Sequence, residues 1–167
     1  MIVDAQRNML EGAQPVPPAV AVKAAICDLL DNARAAGSVV VHVQNDGPPG
    51  DPDEPGTPGW ELVFEPQEAE NVVRKDDCEA FAANPDLAGS VRARQVERIV
   101  VAGMQSEFCI EATSRGALRE GFAVLLPRGA HATYDSETSA AQVAEGVEKV
   151  LDAEGVDVVD AATVAFS

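Results

Sequence analysis

The segment "RIVVAGMQSEFCIEATSRGALREGFAVLLP", Arg98 to Pro127, decides how this chain is read. It opens on the apolar run Arg98 to Gly103 and closes on a second one, "FAVLLP", with a helix-length stretch between them. Strand, helix and strand in that order make a parallel unit, because parallel neighbours need a long crossover connection. Cys109 stands where the first strand hands over to the helix. Backbone N–H groups are unpaired at such a start, and with the helix dipole they favour a thiolate.

The same alternation runs outward from this unit. "MIVDA" (1–5) is a short first strand, followed by the turn-rich "EGAQPVPP" and a helix from about Pro18 to Ala36. Its apolar stripe is Val22, Ile26, Leu29, Leu30 and Ala33, and Gly37 is its stop. "SVVVHVQN" (38–45) is a β-branched buried strand holding His42, and "NVVRK" (71–75) is a third strand. Asn84 and Pro85 read as the N-cap and first residue of a helix through about Gln95. A last helix from Ser136 turns Ala140, Val143, Val147, Val150 and Leu151 inward, and "VDVVD" (156–160) is the sixth strand. The expected fold is α/β, one domain over 1–167, with a three-layer, doubly wound, six-stranded parallel sheet in the order 3-2-1-4-5-6.

Charge narrows the partners. The 167 residues carry 28 acids against 12 Lys and Arg, a formal −16, which disfavours nucleic acid and anionic membranes. No apolar run approaches the length of a membrane span, and "MIVDAQRNML" lacks the pattern of an export signal. The cysteines at 27, 78 and 109 are odd in number and form no C-x-x-C, so a reducing, cytoplasmic setting is expected, without a disulfide framework or zinc site. Cys27 and Cys78 read as structural or incidental.

In an open α/β sheet, ligands bind beyond the C-terminal strand ends where the winding reverses, here between strands 1 and 4. Asp4 at the end of strand 1 and Cys109 after strand 4 would share that crevice. Asp4 could take the thiol proton and return it to a leaving group, while backbone N–H groups hold the oxyanion. Lys75, ending strand 3, is the candidate cation, although two strand spacings of about 10 Å separate it from strand 1.

Three segments, "IVDAQRNM" (2–9), "VVRKDDCEAF" (72–81) and "VVAGMQSEFCIEATSRGALREGFAVLLPRGAHATYD" (100–135), resemble the signature blocks of the isochorismatase-like cysteine hydrolases in order and spacing. The resemblance covers nearly the whole chain. It implies the six-stranded fold and an Asp4, Lys75, Cys109 triad that hydrolyses a small molecule's amide or related C–N bond through a thioester. It also implies a cis peptide at Met104–Gln105 that aims the N–H of Gln105, with that of Cys109, at the oxyanion. A homodimer or larger homo-oligomer is implied as well.

Some features depart from the family pattern. Nicotinamidase-type members carry a metal near an Asp-x-His element between strands 2 and 3, where this chain has Asp46, Asp51, Asp53 and Glu54 but no histidine. Neither a metal nor another cofactor is therefore expected. "NML" replaces the usual aromatic after D-x-Q-N/R, and only three residues precede Asp4, so either the start lies upstream or strand 1 is frayed. Members that cleave isochorismate's vinyl ether usually lack the nucleophilic cysteine.

Further substrate-binding candidates are Gln6, Trp60, Phe81 and His131. Gln6 either orders the loop after strand 1 or touches ligand. Trp60, in the long loop 45–66, either covers the crevice or anchors that loop. His131 follows strand 5 and is the rival base for a Cys-His pair, while Ser106 and Glu107 read as caps near the helix start. Three functions stay open at this point: a cysteine amidohydrolase, a vinyl ether hydrolase using Asp4 and Lys75, and a non-catalytic metabolite-binding member.

Overall fold

A computed structural model describes residues 1–166. In chain order it contains β1 (Ile2–Val3), α1 (Arg7–Leu10), α2 (Ala19–Ala35), β2 (Val41–Asn45), β3 (Asn71–Lys75), α3 (Ala80–Ala83) and α4 (Leu87–Ala93). Then follow β4 (Arg98–Val100), β5 (Ala102–Met104), a π-helical turn (Ser106–Ile110), α5 (Glu111–Arg119), β6 (Ala123–Arg128), β7 (His131–Ala132), α6 (Ala140–Ala153) and β8 (Asp157–Asp160), with a short 3₁₀ turn after it.

Pairing between these strands is parallel throughout, so the fold is α/β as expected. The single six-stranded order 3-2-1-4-5-6 is not what forms. Two ladders run β3-β2-β1-β5-β7 and β4-β6-β8. The strand expected over 98–103 breaks at Val101, and the one expected over 122–127 resumes as β7 after a turn at Gly129, whose φ is +78°. Hydrogen bonds from Val101 N–H to the Leu125 carbonyl and from Gly103 N–H to the Ala130 carbonyl join the ladders at the breaks. Gly103, at φ +131°, lies so close to β1 that a Cβ there would stand 1.8 Å from the Val3 carbonyl oxygen. Only glycine allows the two backbones this approach.

The period-two pattern sorts side chains to two faces. Val3 and Val43 join the core with Phe81, Ile110, Leu126 and Leu151, beneath the helices α3 to α6. Ile2 and Val40 join the opposite core with Ile26, Leu30 and Met104, beneath α1 and α2. Those two cores make the three layers.

Three sequence expectations change. Strand 1 is not frayed: both its residues pair with β2 and β5, and Val3 is fully buried. Asn84 ends α3 instead of opening a helix, because the Glu79 carboxylate already accepts the N–H groups of Phe81 and Ala82 and starts a turn earlier, while α4 begins after Asp86. Val150 is exposed, since Val147 and Leu151, one turn apart, occupy the buried stripe of α6. Among the described residues no helix is long and apolar enough to cross a membrane.

Candidate active site

The C-terminal ends of β1, β2, β3 and β5 converge on one point. Asp4 follows β1 directly with φ +49°, and its N–H donates to the Val43 carbonyl at 2.8 Å. This turn points the carboxylate out of the ladder. The Gln6 amide ties the neighbouring strand end: its Nε2 donates to the carbonyls of Asn45 and Trp60, both at 3.0 Å, and its Oε1 accepts the Asn45 N–H at 2.8 Å.

Lys75 pairs in register with Asn45, and its side chain crosses β2 to reach the first strand. The ammonium donates to Asp4 Oδ2 at 2.8 Å, Asn45 Oδ1 at 3.2 Å and Cys109 Sγ at 3.3 Å. The four-carbon stem of the lysine thus spans the gap that strand spacing had made doubtful. Both charges are buried, Lys75 at 3% exposure and Asp4 at 2%. A buried charge pair persists only when its polar atoms are matched, and here the ammonium has three acceptors.

Cys109 rides the π-helical turn, which Ile110 closes by donating its N–H to the Gln105 carbonyl at 3.1 Å. Such turns often mark functional positions. The preceding Met104–Gln105 peptide is cis. Behind the turn, Ser106 Oγ and His131 Nδ1 are hydrogen-bonded at 2.9 Å, and Thr133 Oγ1 donates to Glu107 Oε1 at 2.9 Å. His131 Nε2 lies 3.3 Å from Glu148 Oε1, but at an angle that makes no hydrogen bond.

Electrostatics in this cluster favour a resting thiol beside an ion pair. Burial pushes the Cys109 thiol well above its ordinary value and the Asp4 carboxylate adds to the rise, against the opposing pull of Lys75. Burial also raises Asp4 above the usual carboxylate range, with Lys75 opposing. Burial alone would lower the Lys75 ammonium, but the Asp4 carboxylate, by its charge and its hydrogen bond, with a further contribution from Cys109, holds it above its ordinary value. A carboxylate raised toward the thiol is a better acceptor for its proton than an exposed aspartate would be.

The cluster opens on a hollow of about 490 Å³ whose walls include Asp4, Asn45, Gln105, Phe108, Cys109 and Tyr134. A larger hollow of about 620 Å³ lies at the other end of the strands, against Met1, Val39 and Ile99, and contains none of the candidate residues. Chemistry, not size, places the site in the smaller one. Among the described residues, no group of three or more His, Cys, Asp and Glu side chains is placed to hold a metal ion.

Asp4, Lys75, Cys109 and Gln105 are therefore brought together, whereas Gln6, Trp60, Phe81 and His131 do not line the hollow. Gln6 is fully buried scaffolding between strand ends. Trp60 anchors the long loop: its indole N–H donates to Asp46 Oδ1 at 2.9 Å, and the Arg74 guanidinium sits 5.0 Å from its ring centre. Phe81 packs in the core against Phe122, with ring centres 6.1 Å apart. His131 is buried behind the π-turn, bonded to Ser106, and its ring does not line the hollow. Sequence reading missed Asn45, the third acceptor of the ammonium, whose one signal was its place at the end of β2 beside β1. It also missed Phe108, an exposed aromatic beside the thiol, and Asn8 and Tyr134 in the same walls.

Comparison with known proteins identifies the family. The model of the Isochorismatase domain matches residues 1–162. A streptothricin hydrolase of Streptomyces noursei is 47% identical over 137 residues, covering 81% of this chain and 54% of that protein. The chain thus spans about half the length of that relative. The secreted isochorismatase effector Isc1 of Verticillium dahliae is 32% identical over 133 residues, covering 78% of this chain and 70% of its own. Among solved structures, an isochorismatase from Pseudomonas putida KT2440 superposes with a TM-score of 0.89 at 28% identity, over 98% of this chain and 87% of that one. A cysteine hydrolase from Pseudomonas syringae pv. phaseolicola gives 0.86 at 26%, over 96% and 87%. With the family match spanning nearly every residue and the same fold in these structures, the chain belongs to the isochorismatase family of hydrolases.

Proposed function

We propose that this protein is a metal-independent cysteine hydrolase that cleaves an amide, carbamoyl or ureido C–N bond of a small molecule through a thioester. The observation that carries the reading is the Lys75 ammonium, 2.8 Å from Asp4 and 3.3 Å from Cys109 at the wall of an open hollow. As Cys109 Sγ attacks the carbonyl carbon, its proton passes to Asp4, and the oxygen's new charge is met by the backbone N–H groups of Gln105 and Cys109. Asp4 then returns the proton to the nitrogen as the C–N bond breaks, leaving a thioester. Water attacks that carbon and gives a proton to Asp4. The C–S bond breaks, the acid leaves, and the proton returns to sulfur. Lys75 pairs with Asp4 whenever it is ionised and steadies the transient thiolate.

A thiol held by the ammonium favours this reading over vinyl ether hydrolysis, which needs no nucleophile at 109. The deciding experiment offers the protein a panel of small amides and ureides, with streptothricin included because of the Streptomyces relative. Intact-mass spectrometry of quenched reactions is expected to find an acyl adduct on Cys109, absent in Cys109→Ala together with turnover. Turnover that survives Cys109→Ala sinks the cysteine mechanism. The reaction needs a reduced thiol, which suits the cytoplasm, and a homo-oligomer carries over from the resemblance; sedimentation velocity checks the latter.

A further inference from the structure

The walls of the hollow are charged in one sense. Asp51, Asp53, Asp76 and Asp77 line it in addition to Asp4, and its lining includes no Lys, Arg or His. The cation in contact with the thiol, Lys75, is already matched by Asp4. Among the described residues none of those four further carboxylates forms an ion pair. Asp53 does accept a hydrogen bond from Asn45 Nδ2 at 2.8 Å, which fixes one of them over the site. Its charge reaches inward, adding to the upward push on both Asp4 and Tyr134.

Two further observations point to what the walls lack. Asn8 Oδ1, on a residue that lines the hollow, is buried with no hydrogen-bond partner. Buried acceptors without donors cost free energy until a donor arrives. Phe108, 52% exposed, and Tyr134 add aromatic rings to the same walls, and such rings attract cations. Tyr134 keeps its own hydroxyl engaged with the Gln14 carbonyl at 3.0 Å, so its contribution to the hollow is the ring.

We propose that the hollow selects a cationic substrate, one bearing an ammonium or guanidinium group near the carbonyl that Cys109 attacks. This rests on the cysteine reading above and narrows its substrate class. Four unneutralised carboxylates around a concave site focus a negative potential, which draws a cation in and holds an anion off. A donor-rich amine then meets Asn8 Oδ1 and the aspartates, while the methylenes beside it lie on Phe108. The surface charge of −16 acts in the same sense at long range, but the asymmetry claimed here is local to the hollow and is removed by local substitutions.

The test reads the potential at the sulfur without needing turnover. In a Cys78→Ser background, Cys109 is labelled with 2-aminoethyl methanethiosulfonate, a cation, and with 2-sulfonatoethyl methanethiosulfonate, an anion. Rates are read from the Cys109 peptide by mass spectrometry, each divided by its rate with the neutral thiol N-acetylcysteine amide. The normalised cation-to-anion ratio is expected to exceed about tenfold in low salt. It should shrink in 0.5 M NaCl and in the double variant Asp76→Asn, Asp77→Asn. A ratio near one, or one that favours the anion, overturns the proposal, as does a ratio the double variant leaves unchanged. On any amide that is cleaved, acetylating the substrate amine is expected to lower kcat/KM at least about tenfold. A cation preference in labelling with no amide cleaved would sink the hydrolase reading alone, whereas cleavage that prefers the acetylated amide would sink this one alone.

Discussion

Lys75 is the residue on which the cluster turns, because its ammonium is the shared partner of the acid and the thiol. Lys75→Met removes a buried charge and leaves Asp4 unpaired at 2% exposure. The expected cost is about 3 kcal/mol of stability, measured by urea denaturation, with kcat/KM falling about 10³-fold on any substrate turned over. Asp4→Asn keeps the shape but cannot accept the thiol proton, so it should lower kcat about 10³-fold with a smaller change in KM. The pH dependence follows from direction. The proposed mechanism needs Asp4 ionised, and burial raises that carboxyl, so activity is expected to fall on acidification with a midpoint above the ordinary aspartate value of about 4. An acid limb of kcat/KM at or below about 4 would contradict this assignment.

At the scale of elements, what positions these groups is partly invisible in one dimension. Periodicity located the helices α2 and α6 and the strand-helix-strand unit around Cys109, because those signals are local. The thiol and the first-strand acid were legible as soon as parallel strand ends were placed side by side, whereas Lys75, two strand spacings away, drew its weight from the family resemblance. Asn45 was not legible, since a polar residue ending a strand carries no signal until the register puts it opposite Lys75. The alternatives left open for His131 and Trp60 could not be decided in sequence, because topology fixes which strand end a residue follows, while packing fixes which side of the π-turn or loop its ring occupies. The break at Val101 was equally hidden, and so was the close approach of Gly103 to β1. Gly103→Ala should therefore cost about 3 kcal/mol or more and dislodge the turn that carries the nucleophile. Chemical denaturation together with the rate of Cys109 alkylation checks both effects. A separate tie, from Glu70 to Arg34 of α2 and His42 of β2, holds the start of β3. The carboxyl of Glu70 is held down to about 2, chiefly by the Arg34 guanidinium. A depressed acid stabilises the fold above its unfolded value of about 4.5 and loses that contribution as the pH falls through about 2. His42, lowered by burial, acts in the same direction between its unfolded value and its lower folded one. Glu70→Gln is expected to lose up to about 3 kcal/mol at pH 7 and to match the parent near pH 2, as read by thermal melts across pH.

For the molecule as a whole, the 28 acids against 12 bases repel one another in the compact state, and dissolved salt screens that repulsion. Raising NaCl from 10 to 300 mM should lift Tm by about 3 °C, with calorimetry as the measurement. An unchanged or falling Tm would mean that the surface ion pairs offset the net charge. The burial of Lys75 also has a practical result. The chain has three lysines, and those at 23 and 149 are exposed on surface helices, with side-chain exposures of 41% and 72%, whereas that of Lys75 is 0%. Amine-reactive supports, dyes and crosslinkers will couple through Lys23 and Lys149, so the folded protein can be immobilised or tagged by ordinary acylation chemistry with its reaction centre untouched.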